Sequence, residues 1–236
     1  MMTDNENNVI KLDPRLHTAA EMVRPGATVA DIGTDHAYIP VYLLTQGKAR
    51  FVIASEINKG PLERARHSAE KYGVKKNIRF ALSDGLAGVE PEADGVTDIV
   101  ICGMGGELIA RIIDESEYPK RDGVRLILQP MSSAYELREY LADAGFNILD
   151  ERLSRAAGKI YTCMLVEYDG EKRRFSEIEL LLGKANIRKR EKLFDDFAMR
   201  HKVQLEKKIA GMSLGGLDSS FERKLTDEID KILEDE

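Results

Sequence analysis

Acidic side chains recur in this 236-residue chain at places where an apolar run gives way to glycine. Asp31 and Asp35 flank Gly33, Glu56 ends the run 51–54, Asp84 precedes Gly85, and Gly103-Met104-Gly105-Gly106 follows the run 98–102. A dinucleotide fingerprint would instead crowd glycines as G-x-G-x-x-G, so that a pyrophosphate can touch the backbone. Two carboxylates around one glycine repel a pyrophosphate and suit a cationic ligand with an ammonium group. S-adenosylmethionine (SAM) is such a ligand. Glu56 lies 23 residues after Gly33, about where an acid meets a ribose hydroxyl pair. Asp84 can accept from an adenine amino group, and the 103–106 glycines let backbone approach a substrate closely.

Each signal has a plainer reading alone. Asp31 and Asp35 can be capping acids, Glu56 a surface acid, Asp84-Gly85 a turn, and the glycines simple steric relief. All four in order, at successive strand ends, point to a nucleoside-containing cofactor. The expected cofactor contacts are Asp31, Gly33, Thr34, Glu56, Ile57, Asp84, Gly85, Gly103, Met104 and Gly105.

The elements that would carry these residues alternate. Asp13-Pro14 starts a helix as N-cap and N1 proline, with Leu16, Ala19, Ala20 and Val23 on its apolar face. Strands are expected over 29–32, 51–54, 77–82, 98–102 and 124–128, with helices over 38–46, 58–72, 106–115 and 133–144 between them. Near-continuously apolar strands alternating with helices predict a parallel sheet covered on both faces. After Gly145, runs 146–153 and 159–168 follow each other closely, which predicts an antiparallel hairpin at the end of the sheet. From Ser176 the pattern is helical, broken at Leu214-Gly215-Gly216-Leu217-Asp218, and predicts two helices in an antiparallel hairpin with a coiled-coil-like seam. The domain boundary is expected near 170, giving domains 1–170 and 171–236.

Composition suits a globular chain, with 43% hydrophobic and 32% charged residues. No apolar run reaches the length of a membrane span, and the start, with Asp4, Asn5, Glu6, Asn7 and Asn8, does not read as a signal peptide. Cys102 and Cys163 sit in apolar runs, as buried thiols in a reducing cytoplasm would. No Cys/His cluster has metal-ligand spacing, so no metal is expected. The net charge of −6 belongs to the first 170 residues; residues 184–208 carry 9 basic against 4 acidic side chains.

The succession resembles the class I SAM-dependent methyltransferases. More narrowly, Val-Ala-Asp-Ile-Gly-Thr-Asp-His-Ala-Tyr-Ile-Pro (29–40), Ile-Cys-Gly-Met-Gly-Gly (101–106) and Leu-Gln-Pro-Met (128–131) resemble the bacterial tRNA adenine-N1 methyltransferases acting on adenine 22. The likeness extends to Leu12-Asp13-Pro14-Arg15-Leu16 and to the terminal helices. It implies a SAM-bound, Rossmann-like α/β core of seven strands with an appended coiled coil that helps hold tRNA. The Asn-Pro-Pro-Tyr type of loop found in many amino-directed methyltransferases is absent, and Gly103-Met104-Gly105-Gly106 in its place fits a ring-nitrogen target better than an exocyclic amine.

Under that resemblance the chemistry falls to Asp35, with His36 and Tyr38 beside it; Asp35 as a helix cap is the competing account. Arg15, Lys184, Arg188, Lys189, Arg190, Lys192, Arg200 and Lys202 are the expected tRNA contacts. A solvated helix face with internal ion pairs is the bland alternative for the basic run. Two other functions stay open: a SAM methyltransferase for a protein or small molecule, with the hairpin as a dimerisation element, or a non-catalytic RNA-binding protein with a SAM fold. The sequence does not fix the oligomeric state; a cytoplasmic monomer is the expectation.

Overall fold

Apolar runs of five to eleven residues become the strands of one seven-stranded sheet, and the structure, a computed structural model, describes residues 10–234. The Asp4–Asn8 stretch weighed above lies outside the described residues. The first half runs α1 (Pro14–Met22), β1 (Ala27–Ile32), α2 (Tyr38–Thr45), β2 (Ala49–Glu56), α3 (Lys59–Lys71) and β3 (Ile78–Leu82). It continues with α4 (Pro91–Asp94), β4 (Asp98–Gly105), α5 (Gly106–Asp114), β5 (Arg125–Ser132) and α6 (Ala134–Asp143). The hairpin β6 (Phe146–Ala156) and β7 (Lys159–Tyr168) completes the sheet, followed by α7 (Glu177–Leu182), α8 (Lys184–Lys189), α9 (Phe194–Leu214) and α10 (Ser220–Glu234).

The strand order is β3-β2-β1-β4-β5-β7-β6, parallel except for the pairs that β7 makes. The chain moves outward from β1 through β2 to β3, then crosses back to β4 on the other side of β1. That reversal opens a crevice beyond the carboxyl ends of β1 and β4, where open α/β sheets bind ligands. Alternation along the strands feeds two apolar layers. Val29, Val52, Val100 and Ile127 pack with Ala19 and Ala20 of α1 and Leu43 of α2. Ala30, Ile53, Ile99 and Leu126 face the opposite way, toward Ile109 and Ile113 of α5 and Leu137 and Leu141 of α6.

Three features depart from the sequence expectation. β4 does not stop before its glycines: it continues to Gly105, with register breaks between Cys102 and Met104 and again before Gly105. The break leaves Gly103 unpaired at φ +79°, a bulge that needs glycine. Secondly, the helical region from Ser176 is four helices rather than two. Ser176 and Glu179 form a capping box at α7, but the run then breaks at Gly183 and again at Arg190. Gly183 has φ +87°, and a Cβ there would stand 2.3 Å from Glu151 Oε2, so the backbone passes where no side chain fits. Only α9 and α10 form the hairpin. Lys202 with Asp230 and Lys208 with Glu222 run in opposite senses along the two helices, which makes them antiparallel. Thirdly, Asn58 and Ser133 stand at the N-caps of α3 and α6 but make no side-chain capping bond.

Candidate functional site

The turn after β1 is built of uncommon backbone. Gly33, Asp35 and Ala37 all have positive φ, at +73°, +43° and +55°. Such conformations in non-glycine residues mark a loop held by its surroundings. A Cβ on Gly33 would lie 2.2 Å from Met104 Cε, so the close approach of the β1 turn to the β4 loop requires glycine.

Asp31, the last acid inside β1, is 4% exposed. Burial pushes its carboxyl up to about 7, the Thr34 hydroxyl beside it pulls the value down, and the charge of Glu56 adds a smaller rise. Thr34 Oγ1 is itself buried and finds no other partner among the described residues. A carboxyl whose charge lacks a counter-charge, with a buried hydroxyl against it, fits a cationic, hydrogen-bonding ligand. Glu56 closes β2. Its Oε1 accepts from Asn58 N at 3.0 Å and its Oε2 from Asp35 N at 3.4 Å. Beyond β3, Ser55 Oγ donates to Gly85 O at 3.0 Å and lies 2.8 Å from Ser83 Oγ, which fixes the turn that carries Asp84. The Asp84 carboxylate is half exposed, 3.5 Å from Arg111.

These pieces enclose two cavities side by side. One, of about 290 Å³, is lined by Asp13, Arg15, Asp31, Thr34, Asp35, His36 and Tyr38 among others. The second, of about 260 Å³, is lined by Glu56, Ile57, Asp84, Gly85, Met104 and Arg111 among others. Gly33, Cys102 and Gly103 line both. Every expected cofactor residue except Gly105 therefore lies in one bipartite crevice; a Cβ on Gly105 would instead meet Ser132 Oγ at 3.3 Å. Cys102 is a thiol whose pKa is raised well above the ordinary value, chiefly by burial.

Asp35, His36 and Tyr38 stand together at the mouth of the first cavity. The N-cap of α2 is Ala37, with no side-chain capping bond, so Asp35 is not the cap of that helix. Its carboxylate lies 3.0 Å from Arg64 Nη2 and 3.7 Å from His36 Nε2. The His36 and Tyr38 rings stack nearly parallel, centroids 5.2 Å apart.

The expected tRNA contacts are not brought to one face. Arg15 belongs to the crevice. It donates from Nη1 to Gln129 Oε1 at 2.9 Å, with Met131 Sδ at 3.4 Å, and pairs with Asp13 at 3.0 Å. Lys184 and Arg188 line a separate recess beside β6. Lys189 pairs with Asp150 and Glu191, Arg190 with Asp195, and Lys202 with Asp230. Arg200 donates to Gly158 O at 2.8 Å, tying α9 to the β6–β7 turn. Arg188 and Lys192 make no hydrogen bond or ion pair among the described residues. Sequence reasoning missed Gln129, which is fully buried and aims Arg15 into the crevice. Its signals were a polar residue closing an apolar run just before Pro130 and its place in the Leu-Gln-Pro-Met run, 128–131. Among the described residues no acid, histidine or cysteine cluster could hold a metal ion, and no helix is long and apolar enough to cross a membrane.

Known proteins share this fold. A family described as a methyltransferase domain matches residues 12–164. The tRNA (adenine(22)-N(1))-methyltransferase of Bacillus subtilis is 38% identical over 177 residues, 75% of this chain and 73% of the relative. A Streptococcus pneumoniae protein described as a candidate tRNA (m1A22) methyltransferase, solved with S-adenosyl-L-methionine, superposes with a TM-score of 0.81 at 34% identity, covering 93% of this chain and 98% of that one. The B. subtilis m1A22 tRNA methyltransferase structure gives 0.77 at 30% identity, covering 94% and 95%. Identity on this scale over three quarters of the chain, with a methyltransferase-domain match across residues 12–164, makes this chain a member of the tRNA (adenine(22)-N(1))-methyltransferase family.

Proposed function

We infer that this chain transfers the methyl group of SAM to N1 of adenine 22 in tRNA. The observation that carries the reading is the pair of cavities meeting at Gly33, Cys102 and Gly103, one lined by Asp13, Asp31 and Asp35, the other by the acceptors Glu56 and Asp84. Asp31 and the Thr34 hydroxyl would hold the amino-acid end of SAM, Glu56 the ribose diol, and Asp84 the adenine amino group. When bound, SAM supplies an electrophilic methyl on a sulfonium centre.

The chain's own contribution is alignment. Adenine N1 already carries an in-plane lone pair, so no strong base is needed to create the nucleophile, and positioning alone supplies roughly 7–11 kcal/mol. The stacked His36 and Tyr38 rings give a flat surface at the cavity mouth for a base drawn out of its helix. Asp35 beside them accepts the positive charge that arrives on the methylated ring, or an N6 proton. A tRNA substrate supports a cytoplasmic enzyme, and a monomer is the form proposed. Incubation with labelled SAM and total tRNA, followed by mapping of the modified base, tests the reading. Label at adenine 22 is expected; label on protein, or none on RNA, would overturn it.

A further inference from the structure

Past the crevice lies a groove that the methyl transfer itself does not use. It has a volume of about 740 Å³ and runs between the end of β5, the start of β7, the N-terminus of α6 and the flank of α9. Its near end adjoins the active-site crevice at Arg15. Met131 and Tyr161 line it, and both face Arg15: Met131 Sδ is 3.4 Å from the guanidinium, and the Tyr161 ring centroid is 6.0 Å away.

Three observations say what the groove would hold. Its wall contains Thr162, only 4% exposed, whose buried Oγ1 has no hydrogen-bond partner. A buried hydroxyl left unpaired marks a place where a polar group is missing. The N-terminus of α6 opens onto the same space, with Ser133 in the left-handed conformation and no side chain capping the first N–H groups. Uncapped N–H groups at a ten-residue helix start suit a phosphate, and Lys159 on the groove wall offsets the Glu136 carboxylate of that first turn. The α9 flank adds Arg200, His201 and Gln204. Burial, with the nearby charge of Arg138, lowers His201 to about 4, so its imidazole is neutral at pH 7 and both donates and accepts. Gln204 does the same through its amide. Aromatic surface, a phosphate site and side chains that donate and accept are what an extruded nucleotide needs, whereas an apolar small molecule needs none of the last two.

We propose that this groove is a second nucleotide subsite, which takes a base flanking the methylated adenine and reads its edge through Thr162, His201 and Gln204. The inference rests on the tRNA reading above. It makes recognition depend on a neighbour of the target as well as on the target itself.

The test uses the full chain and tRNA transcripts carrying an abasic residue at one or the other nucleotide next to the methylated adenine. Wild-type enzyme is expected to show a KM raised about tenfold for one of the two transcripts, the scale of losing one stacked base, with kcat held within about twofold. Gln204→Ala and Thr162→Val should each raise KM on intact tRNA, leave SAM affinity by calorimetry unchanged, and add little on that abasic transcript. Unchanged KM for both abasic transcripts would overturn the proposal, as would penalties from the two variants that persist in full when the base is gone. An enzyme that leaves intact tRNA unmethylated would sink the tRNA reading and this one with it.

Discussion

Arg138 Nε donates to Glu151 Oε1 across 2.8 Å, and both side chains are 1% exposed. The same guanidinium donates to Leu180 O, and Glu151 Oε2 accepts from Ala185 N at 3.3 Å. One buried ion pair thus clasps α6 and β6 of the sheet to α7 and α8.

Removing one partner of such a pair strands the other charge. Arg138→Ala or Glu151→Gln is expected to cost about 3–5 kcal/mol, while Arg138→Met combined with Glu151→Leu recovers most of it. Urea denaturation of the four proteins checks this. A loss under about 1 kcal/mol in both single variants would mean that water reaches the site.

The clasp also decides where the chain can be cut. A chain ending at Asp169 leaves Arg138 and Glu151 without the helices that cover them, and should unfold at markedly lower urea than one ending at Arg190. Both should be compared with the full chain for tRNA affinity as well, since only the longer cut isolates the loss of α9 and α10.

Asp31 couples folding to ligand binding. Its carboxyl titrates at about 7 in the folded protein, against about 3.9 in an unfolded chain. The folded state therefore holds the proton more tightly, so this residue's contribution to stability falls as pH rises from about 4 to 7, by about 4 kcal/mol at most. Asp31→Asn is expected to raise the melting temperature of the ligand-free protein at pH 8 and to weaken SAM binding. Wild-type SAM affinity should fall as pH drops below about 7, with proton uptake by Asp31. Melting curves and calorimetry in buffers of different ionisation heat measure both; an Asp31→Asn melting temperature no higher than wild type at pH 8 would count against it.

Asp35 is tested by a single substitution. Asparagine tolerates the φ of +43° found there, so Asp35→Asn keeps the turn. Single-turnover methylation should fall by about two orders of magnitude with SAM and tRNA affinity near wild type. Arg64→Ala, which removes only the exposed pairing partner, should change the rate by less than about threefold. A normal rate in Asp35→Asn takes the residue out of the mechanism.

The basic side chains should divide by their partners. Lys189 and Lys202 already sit in ion pairs, whereas Arg188 and Lys192 make none among the described residues. Arg188→Ala and Lys192→Ala are expected to weaken tRNA binding and flatten its salt dependence by about one counterion each, and Lys202→Ala to do less. Filter binding across a salt series discriminates them.

Much of this could be read from local pattern. The presence of seven strands, the antiparallel hairpin and the acids at strand ends follow from apolar runs and their punctuation, and Lys159–Tyr168 has the expected bounds, while β1 and β2 each start two residues earlier than expected. What escaped depends on distant partners. The break at Gly183 exists because Glu151, 32 residues earlier, fills the space beside it. Arg15 reads as a surface cation until Gln129, 114 residues away, pulls it into the crevice. Asp35 as a helix cap fits residue preferences, and only the left-handed Ala37 displaces it.

The 21 residues of α9 make a rod of about 30 Å. Its buried contacts gather at one end, in Phe194, Phe197 and Ala198, opposite Ile229 of α10, while Leu214 at the far end is 93% exposed. Lys202–Asp230 and Lys208–Glu222 tie the two helices like rungs, so any tilt at the root would move the pair as one lever. A tilt of about 10° at the root carries the tip through about 5 Å, a displacement on the scale of the helix pitch itself. Small repacking around Phe194 is thereby magnified into a change of reach.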